Sequence, residues 1–157
     1  MNTSRLHYFA LLGVALFLFG CTYEAPVTEK PTAKINERLI GDWTEAGKPD
    51  AHMVVCKLND SEYIVSYDGV FHAWHSDFEG MHFISVQNIA PLKETERKFA
   101  FVVFELQDND KKFIIRTVNQ KVIPDTLHTT AEIQEALKRN LKDPHLFNED
   151  AGIFVRK

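Results

Sequence analysis

From residue 39 onward, short apolar segments alternate with turn-forming residues. The seven predicted strands are residues 39–44, 52–58, 62–68, 70–76, 81–87, 98–106 and 112–118. Short groups rich in Asn, Asp, Ser and Gly, such as 59–61 and 108–110, separate them and favour hairpin turns. Strands joined by hairpins pair antiparallel, and closure of such a meander into a barrel removes its open edges. We therefore predict a mainly β fold, an antiparallel meander barrel of seven or eight strands.

Two stretches of this meander stand out. Residues 99–104 read FAFVVF, so both faces of that strand are apolar, and we expect it to be central or covered. Residues 88–97, which include Pro91, form the longest break between strands. This segment is either a rim loop over a cavity or simply a long hairpin connection.

The C-terminal region changes to a helical pattern. Thr129 and Glu132 fit a capping box, and apolar residues follow at helical spacing until Asp143-Pro144. This predicts a helix over about 130–141 with one face packed on the barrel. An open end of the barrel is one candidate position for this helix. Its basic residues form a solvated face or contact anionic lipid. Residues 153–155 read as a closing strand that pairs with the first one.

The beginning of the chain has a different character, because Leu6 to Cys21 is an apolar stretch behind a short positive start. Residues 8–19 carry no charge and are preceded by Arg5, which is the layout of a secretory signal. As a helix this stretch reaches only about 20 Å, against roughly 30 Å for the hydrocarbon core of a bilayer. An export signal is therefore favoured over a permanent membrane span.

The end of that stretch resembles the lipobox of bacterial lipoproteins, in which Leu and small residues precede an invariant Cys. Leu18, Gly20 and Cys21 match the pattern, and Phe19 departs from it. The resemblance implies cleavage after residue 20 and three acyl chains on Cys21, which bind a lipid bilayer stably. Thr22, where Asp favours the inner membrane in that family, implies the outer membrane of a Gram-negative cell, facing the periplasm. The alternative is an ordinary cleaved signal followed by an incidental cysteine.

Residues 21–36 combine two prolines, several threonines and mixed charge without periodicity. This composition predicts a flexible, solvated tether between the lipidated Cys21 and the folded part. We therefore divide the chain into a signal peptide, 1–20, a tether, 21–36, and a single barrel domain, 37–157.

The first strand of the barrel carries Gly41-x-Trp43. This pattern resembles lipocalins and related calycin barrels, in which the tryptophan packs across the barrel floor and a basic residue on a late strand covers its ring. The resemblance implies a structural floor made by Gly41, Trp43 and Arg116, with Arg116 over the ring through a cation–π contact. The alternative interpretation of Trp43 is a core aromatic of any β sandwich.

Charge and cysteine content limit the range of partners. The formal net charge is -4, and Arg5 is the only Asp, Glu, Lys or Arg in residues 1–20, so the processed chain is acidic and nucleic acid is not an expected partner. If Cys21 is acylated, Cys56 is a lone thiol. Its apolar neighbours predict a buried, inert thiol, with a reactive nucleophile as the alternative.

His72 and His75 lie close to Trp74 in the fourth predicted strand. Residues three apart on a strand point to opposite faces, so this pair does not share a metal ion unless the strand is bulged. His82, in the next predicted strand, is the candidate ligand across the hairpin from one of them. Surface histidines are favoured over a Zn or Cu site, and we predict no metal and no cofactor. The aromatic side chains that would line an apolar ligand cavity are Phe71, Trp74, Phe83 and Phe101, and the alternative is that they form core.

No catalytic constellation stands out in the sequence, so we predict no enzyme activity. The favoured function is a non-enzymatic envelope accessory that binds another envelope protein near the membrane. The alternative is a lipocalin-like binder of a small apolar ligand, which requires an unfilled barrel interior.

Overall fold

A computed structural model describes residues 22–91, 98–149 and 152–157. Its strands are β1 (Gly41–Glu45), β2 (His52–Lys57), β3 (Glu62–Ser66), β4 (Val70–Phe78), β5 (Met81–Asn88), β6 (Phe99–Gln107), β7 (Lys112–Thr117) and β8 (Gly152–Arg156). Each strand pairs antiparallel with the next, and β8 pairs with β1 to close the barrel. The predicted mainly β meander barrel is confirmed, including its closing strand. Leu6 to Cys21 lies outside the described residues.

The two ends of the barrel are built differently. A 3₁₀ turn, Glu37–Leu39, precedes β1 at one end, which we call the floor, and Leu39 is buried there. Because β1 starts at the floor, the β1–β2, β3–β4 and β5–β6 connections lie at the opposite end, which we call the mouth. The described part of the predicted rim segment, residues 88–91, lies at the mouth, and residues 92–97 lie outside the described ranges.

Buried side chains of the described residues form two clusters, one on each face of the barrel wall. Because successive strand residues point to opposite faces, alternate positions of β4, β5 and β6 belong to different clusters. The inner cluster contains Leu39, Trp43, Met53, Val55, Tyr63, Ala73, Ile84, Val102, Phe113 and Phe154. The outer cluster contains Tyr23, Val27, Trp74, Phe83, Phe99, Phe101, Val118, Ile123, Ile133, Leu137 and Leu146. The covered β6 predicted from its sequence is therefore observed.

The N-terminal segment 22–36, which we call the strap, covers part of this outer cluster. Tyr23 and Val27 have no exposed surface, and the Tyr23 ring stacks on Phe101 with centroids 4.3 Å apart. The Tyr23 hydroxyl donates to the Ile123 carbonyl at 2.7 Å. The prediction of a solvated tether is therefore wrong, because two apolar side chains of this segment complete the outer core. The folded domain includes the strap.

The strap also pairs with strand edges that have no neighbouring strand. At the mouth, Tyr23 and Phe99 exchange backbone hydrogen bonds of 2.7 and 2.8 Å. Near the floor, the Thr32 amide donates to the His75 carbonyl at 3.0 Å, and the Ile35 amide donates to the Asp60 carbonyl of the β2–β3 turn at 3.1 Å. The strap thus crosses the outside of the wall from mouth to floor and satisfies backbone groups at both ends.

The helix α1 (Thr130–Asn140) begins with the predicted capping box of Thr129 and Glu132. Its Ile133 and Leu137 are fully buried in the outer cluster. Gln134 Nε2 donates to the carbonyl of Val27 at 2.8 Å, so the helix lies beside the strap. The helix therefore packs on the outer wall and not across an open end. Among the described residues, no helix has the length and apolar character needed to cross a bilayer.

Cys56 lies on the outward face of β2 and is exposed. The prediction of a buried thiol is wrong, because the inward positions of this strand belong to Met53 and Val55 and the alternation turns Cys56 to solvent.

Candidate functional site: the barrel interior

The barrel encloses a cavity of about 90 Å³. Its lining is apolar apart from two tyrosine hydroxyls. The lining residues are Leu39, Met53, Val55, Tyr63, Val65, Tyr67, Phe71, Ala73, Ile84, Val86, Ala100, Val102, Phe104, Phe113 and Ile115. Small side chains at Ala73 and Ala100 leave this space open between β4 and β6. A cavity without polar partners does not hold ordered water well and suits an apolar group.

Phe71 is the one predicted ligand-cavity residue that lines this space. Trp74, Phe83 and Phe101 belong instead to the outer cluster, beneath the strap and α1. Trp74 is three residues beyond Phe71 in β4, so the alternation of the strand places it on the other face. The prediction is therefore wrong for these three aromatic residues, which form core.

Trp43 closes the floor of the barrel and is fully buried. Its Nε1 donates to the Leu39 carbonyl at 2.9 Å, and its ring meets Phe113 edge-on at 4.5 Å. Arg156 covers the other side, with Cζ 4.1 Å from the ring centroid. The same guanidinium donates to the carbonyls of Ile40 at 2.9 Å and Asp110 at 3.1 Å.

The predicted cover, Arg116, does not take this position. Arg116 is exposed on the outer face of β7, opposite Val103 of β6. Arg156 covers the ring because β8 pairs with β1, and Trp43 lies directly opposite Arg156 in that pairing. The sequence feature that pointed to Arg156 is a basic residue in the closing strand 152–156.

Gly41 lies beneath this guanidinium in a conformation that favours glycine. Its φ of +137° is rarely adopted by residues with a side chain, and a Cβ there would lie 2.6 Å from Arg156 Nη1. The first residue of the Gly-x-Trp pattern thus makes room for the arginine that covers the third.

At the mouth, the hydroxyl of Tyr67 hydrogen-bonds to Glu45 Oε2, and Lys48 Nζ lies 2.7 Å from Glu45 Oε1. Burial, followed by this contact with Glu45, raises the pKa of Tyr67, so the hydroxyl remains a donor at neutral pH. The Tyr67 ring also packs edge-on against Phe154, with ring centroids 5.5 Å apart. This contact narrows one side of the mouth. Val86 and Ile115, which also line the cavity, are partly exposed.

A buried polar pair lies toward the floor, where Tyr63 Oη and His75 Nε2 are 2.9 Å apart. The Asn36 amide of the strap donates to the same hydroxyl. Burial lowers the pKa of His75. The charge of Asp77 raises this pKa, and His82 lowers it further. Burial raises the pKa of Tyr63 to about 12. Both groups are therefore neutral at pH 7 and satisfy one another.

His72 and His82, the other histidines of the β4–β5 hairpin, do not join this pair. His72 lies on the outer face, with its ring 5.0 Å from Trp74 and its Nε2 2.9 Å from Glu62 Oε1. His82 lies opposite Asp77, and not opposite either histidine of β4. Nowhere in the described ranges do three His, Cys, Asp or Glu side chains lie close enough to hold a metal ion.

Comparisons of the chain with protein-family models, with curated proteins and with solved structures give no significant match. The fold and the cavity therefore carry the functional argument.

Proposed function

We propose that this protein is a lipid-anchored envelope protein whose barrel binds a single alkyl chain of an amphiphile. The observation that carries this proposal is the apolar cavity, whose lining side chains offer no charge and whose two hydroxyls are both bonded elsewhere. The protein is non-enzymatic in this proposal.

The size of the cavity limits the class of ligand. Pockets for drug-sized molecules span about 300–1,000 Å³, and an apolar cavity of about 150 Å³ takes up benzene. About 90 Å³ suits a narrow, flexible group such as part of an acyl chain. A polar head group would stay at the mouth, where Glu45, Lys48 and the Tyr67 hydroxyl lie.

The anchoring part of the proposal is supported by the sequence from Leu6 to Cys21. A lipobox ending at Cys21, followed by Thr22, favours the inner leaflet of an outer membrane, with the domain facing the periplasm. Acyl chains on Cys21 would keep the barrel next to a large reservoir of amphiphiles.

A lipocalin-like or calycin-like relationship is the finer part of the proposal. It is supported by Gly41 and Trp43 on the first strand and by the basic Arg156 over the ring from the last strand. The closed barrel of eight antiparallel strands is compatible with it.

Methyl NMR spectra during titration with n-octanol test the ligand proposal. We expect the methyl signals of Ile84, Val102 and Ile115, which line the cavity, to shift. The signals of Val27 and Ile133, in the outer cluster, serve as internal references and should stay unchanged. Equal shifts in both clusters, or none in the cavity, would contradict the proposal.

A cavity-filling variant provides the matched test. Ala73→Leu adds three carbons to the lining, whereas Ala46→Leu adds the same atoms to the exposed β1–β2 turn. We expect the first variant to lose the shifts and the second to keep them. If native mass spectrometry of protein purified from its own envelope shows a stoichiometric protein partner and no small molecule, the envelope accessory role replaces this proposal.

A further inference from the structure

We propose that the mouth of the barrel faces the bilayer, so that the cavity exchanges its ligand directly with membrane lipid. This inference rests on the proposed acylation of Cys21, and it adds the orientation of the domain and the source of the ligand. Its basis is the position at which the strap begins.

The strap leaves little slack between the lipid anchor and the barrel. Tyr23 is fixed by two backbone hydrogen bonds to Phe99, by stacking on Phe101 and by its hydroxyl bond to Ile123. Cys21 precedes Tyr23 by two residues, and two Cα–Cα steps span at most about 7.6 Å. Acyl chains on Cys21 would therefore hold the surface around Tyr23 at the membrane.

That surface is the mouth. Phe99 is the first residue of β6, and the Lys98 carbonyl accepts a hydrogen bond of 3.2 Å from the Asn88 amide at the end of β5. The Ile89 amide in turn donates to the Val70 carbonyl at 3.0 Å, at the start of β4. Three hydrogen-bonded steps thus connect Tyr23 to Val70 along the rim of the mouth, each about one strand spacing of roughly 4.8 Å.

Near the anchor, the rim exposes apolar side chains. Val70 is 37 % exposed, Ala90 is exposed, and Ile89 and Pro91 are partly exposed on the same side of the mouth. Glu24, next to the anchor, is paired with Lys98 at 2.7 Å, and its other carboxylate oxygen lies 2.8 Å from His128 Nδ1.

Charge does not separate the two ends of the barrel. The floor turns carry the carboxylates Asp60, Glu79 and Asp110, and each has a basic side chain nearby, Lys57 at 2.7 Å, Lys138 at 3.4 Å and Arg38 at 3.0 Å. The mouth turns carry the exposed Asp50 and Asp68. The proposed orientation therefore rests on the position of the anchor.

Site-specific quenching tests the orientation in the full-length, lipidated chain. In a Cys56→Ser background an acylated Cys21 offers no thiol, so a single introduced cysteine takes an environment-sensitive fluorophore. We would compare Ala90→Cys at the mouth with Leu58→Cys, which is 52 % exposed at the floor. The protein is reconstituted into phosphatidylcholine and phosphatidylglycerol vesicles containing a lipid with a nitroxide on its acyl chain.

We expect several-fold stronger quenching at position 90 than at position 58. Insertion of a Gly/Ser linker between Thr22 and Tyr23 should abolish the difference, because it restores slack to the anchor. Equal quenching at both positions, stronger quenching at position 58, or none at position 90 in vesicle-bound protein would overturn the orientation alone. Failure of the protein to float with the vesicles would overturn the acylation and, with it, this inference, whereas octanol binding in the cavity would be unaffected.

Discussion

Arg156 covers the ring of Trp43 at 4.1 Å and thereby joins the last strand of the barrel to the first. The guanidinium also binds carbonyls from the floor, so it ties together β1, β8 and the β6–β7 turn. Side-chain contacts thus add to the strand pairing that closes the barrel.

Replacement of Arg156 should therefore destabilise the barrel. We expect Arg156→Met to lower the free energy of unfolding by about 2–4 kcal/mol, because it removes a cation–π contact and charge-assisted hydrogen bonds. Urea denaturation measures this change. Arg116→Met makes the same chemical change on the exposed face of β7 and should stay within about 0.5 kcal/mol of the unmodified protein.

Gly41→Ala should destabilise the protein through both its backbone and its neighbour. A residue with a Cβ is strained at this φ by about 1–3 kcal/mol, and the new Cβ meets Arg156 Nη1. Gly47→Ala, at another positive φ but in open space, is the control and should cost less. In a double-mutant cycle, Gly41→Ala should cost less when Arg156 is already Met, and strictly additive costs would argue against the contact.

Mutations in a packed strap should change the stability of the protein, whereas mutations in a solvated tether should not. Tyr23→Ala should lower the free energy of unfolding by about 3–5 kcal/mol, because it empties a fully buried site. Tyr23→Phe should lower it by about 1–2 kcal/mol through loss of the bond to Ile123. Glu29→Ala, an exposed change in the same segment, serves as the control in denaturant unfolding. A tether free of the barrel would tolerate all three changes.

His75 should make stability depend on pH below neutrality. Its pKa is lowered in the folded state from 6.5 by burial, so the unfolded chain binds the proton more readily. Stability is therefore full above about pH 6.5 and falls as the pH decreases from there toward the lower folded pKa. The difference in unfolding free energy between the unmodified protein and His75→Gln, measured from about pH 7 to about pH 5, should shrink as the pH falls. A constant difference would show that His75 takes up its proton equally well in both states.

The hydroxyl of Tyr67 should control the rate of ligand exchange at the mouth. Tyr67→Phe removes its bond to Glu45 and should speed both entry and release of n-octanol, with little change in affinity. NMR line shapes of the cavity methyl groups report these rates. Tyr63→Phe removes a hydroxyl at the other end of the cavity and should lower stability, by about 1–3 kcal/mol, without faster exchange. Unchanged exchange in Tyr67→Phe would place the entry route elsewhere.

Alternation and turn chemistry were sufficient to predict the strands, the closing strand and the capped helix, since these depend on local residue patterns. The face of each strand was harder to predict. Both faces of β4 are buried, so the alternation separates Phe71 from Trp74 without telling which one faces the cavity. That choice depends on which side the strap and α1 cover, and this is a long-range contact. Arg156 was missed for the same reason, because its position over Trp43 follows from the β1–β8 register.

The strap was missed because its apolar content is small. Tyr23 and Val27 stand among prolines, threonines and charged residues, a composition typical of solvated linkers. The sequence feature that pointed to the strap was in β6, because an apolar outer face on a strand must pack against another segment. An unexplained apolar face on a predicted strand is therefore a reason to search distant polar segments for the few side chains that cover it.

The position of the strap also sets an order of events during synthesis. Tyr23 leaves the ribosome early, but it bonds to a carbonyl 100 residues further along the chain. The segment beside Cys21 therefore has no place to dock until β6 and the region around Ile123 have followed it. The strap therefore docks only after most of the chain has been made.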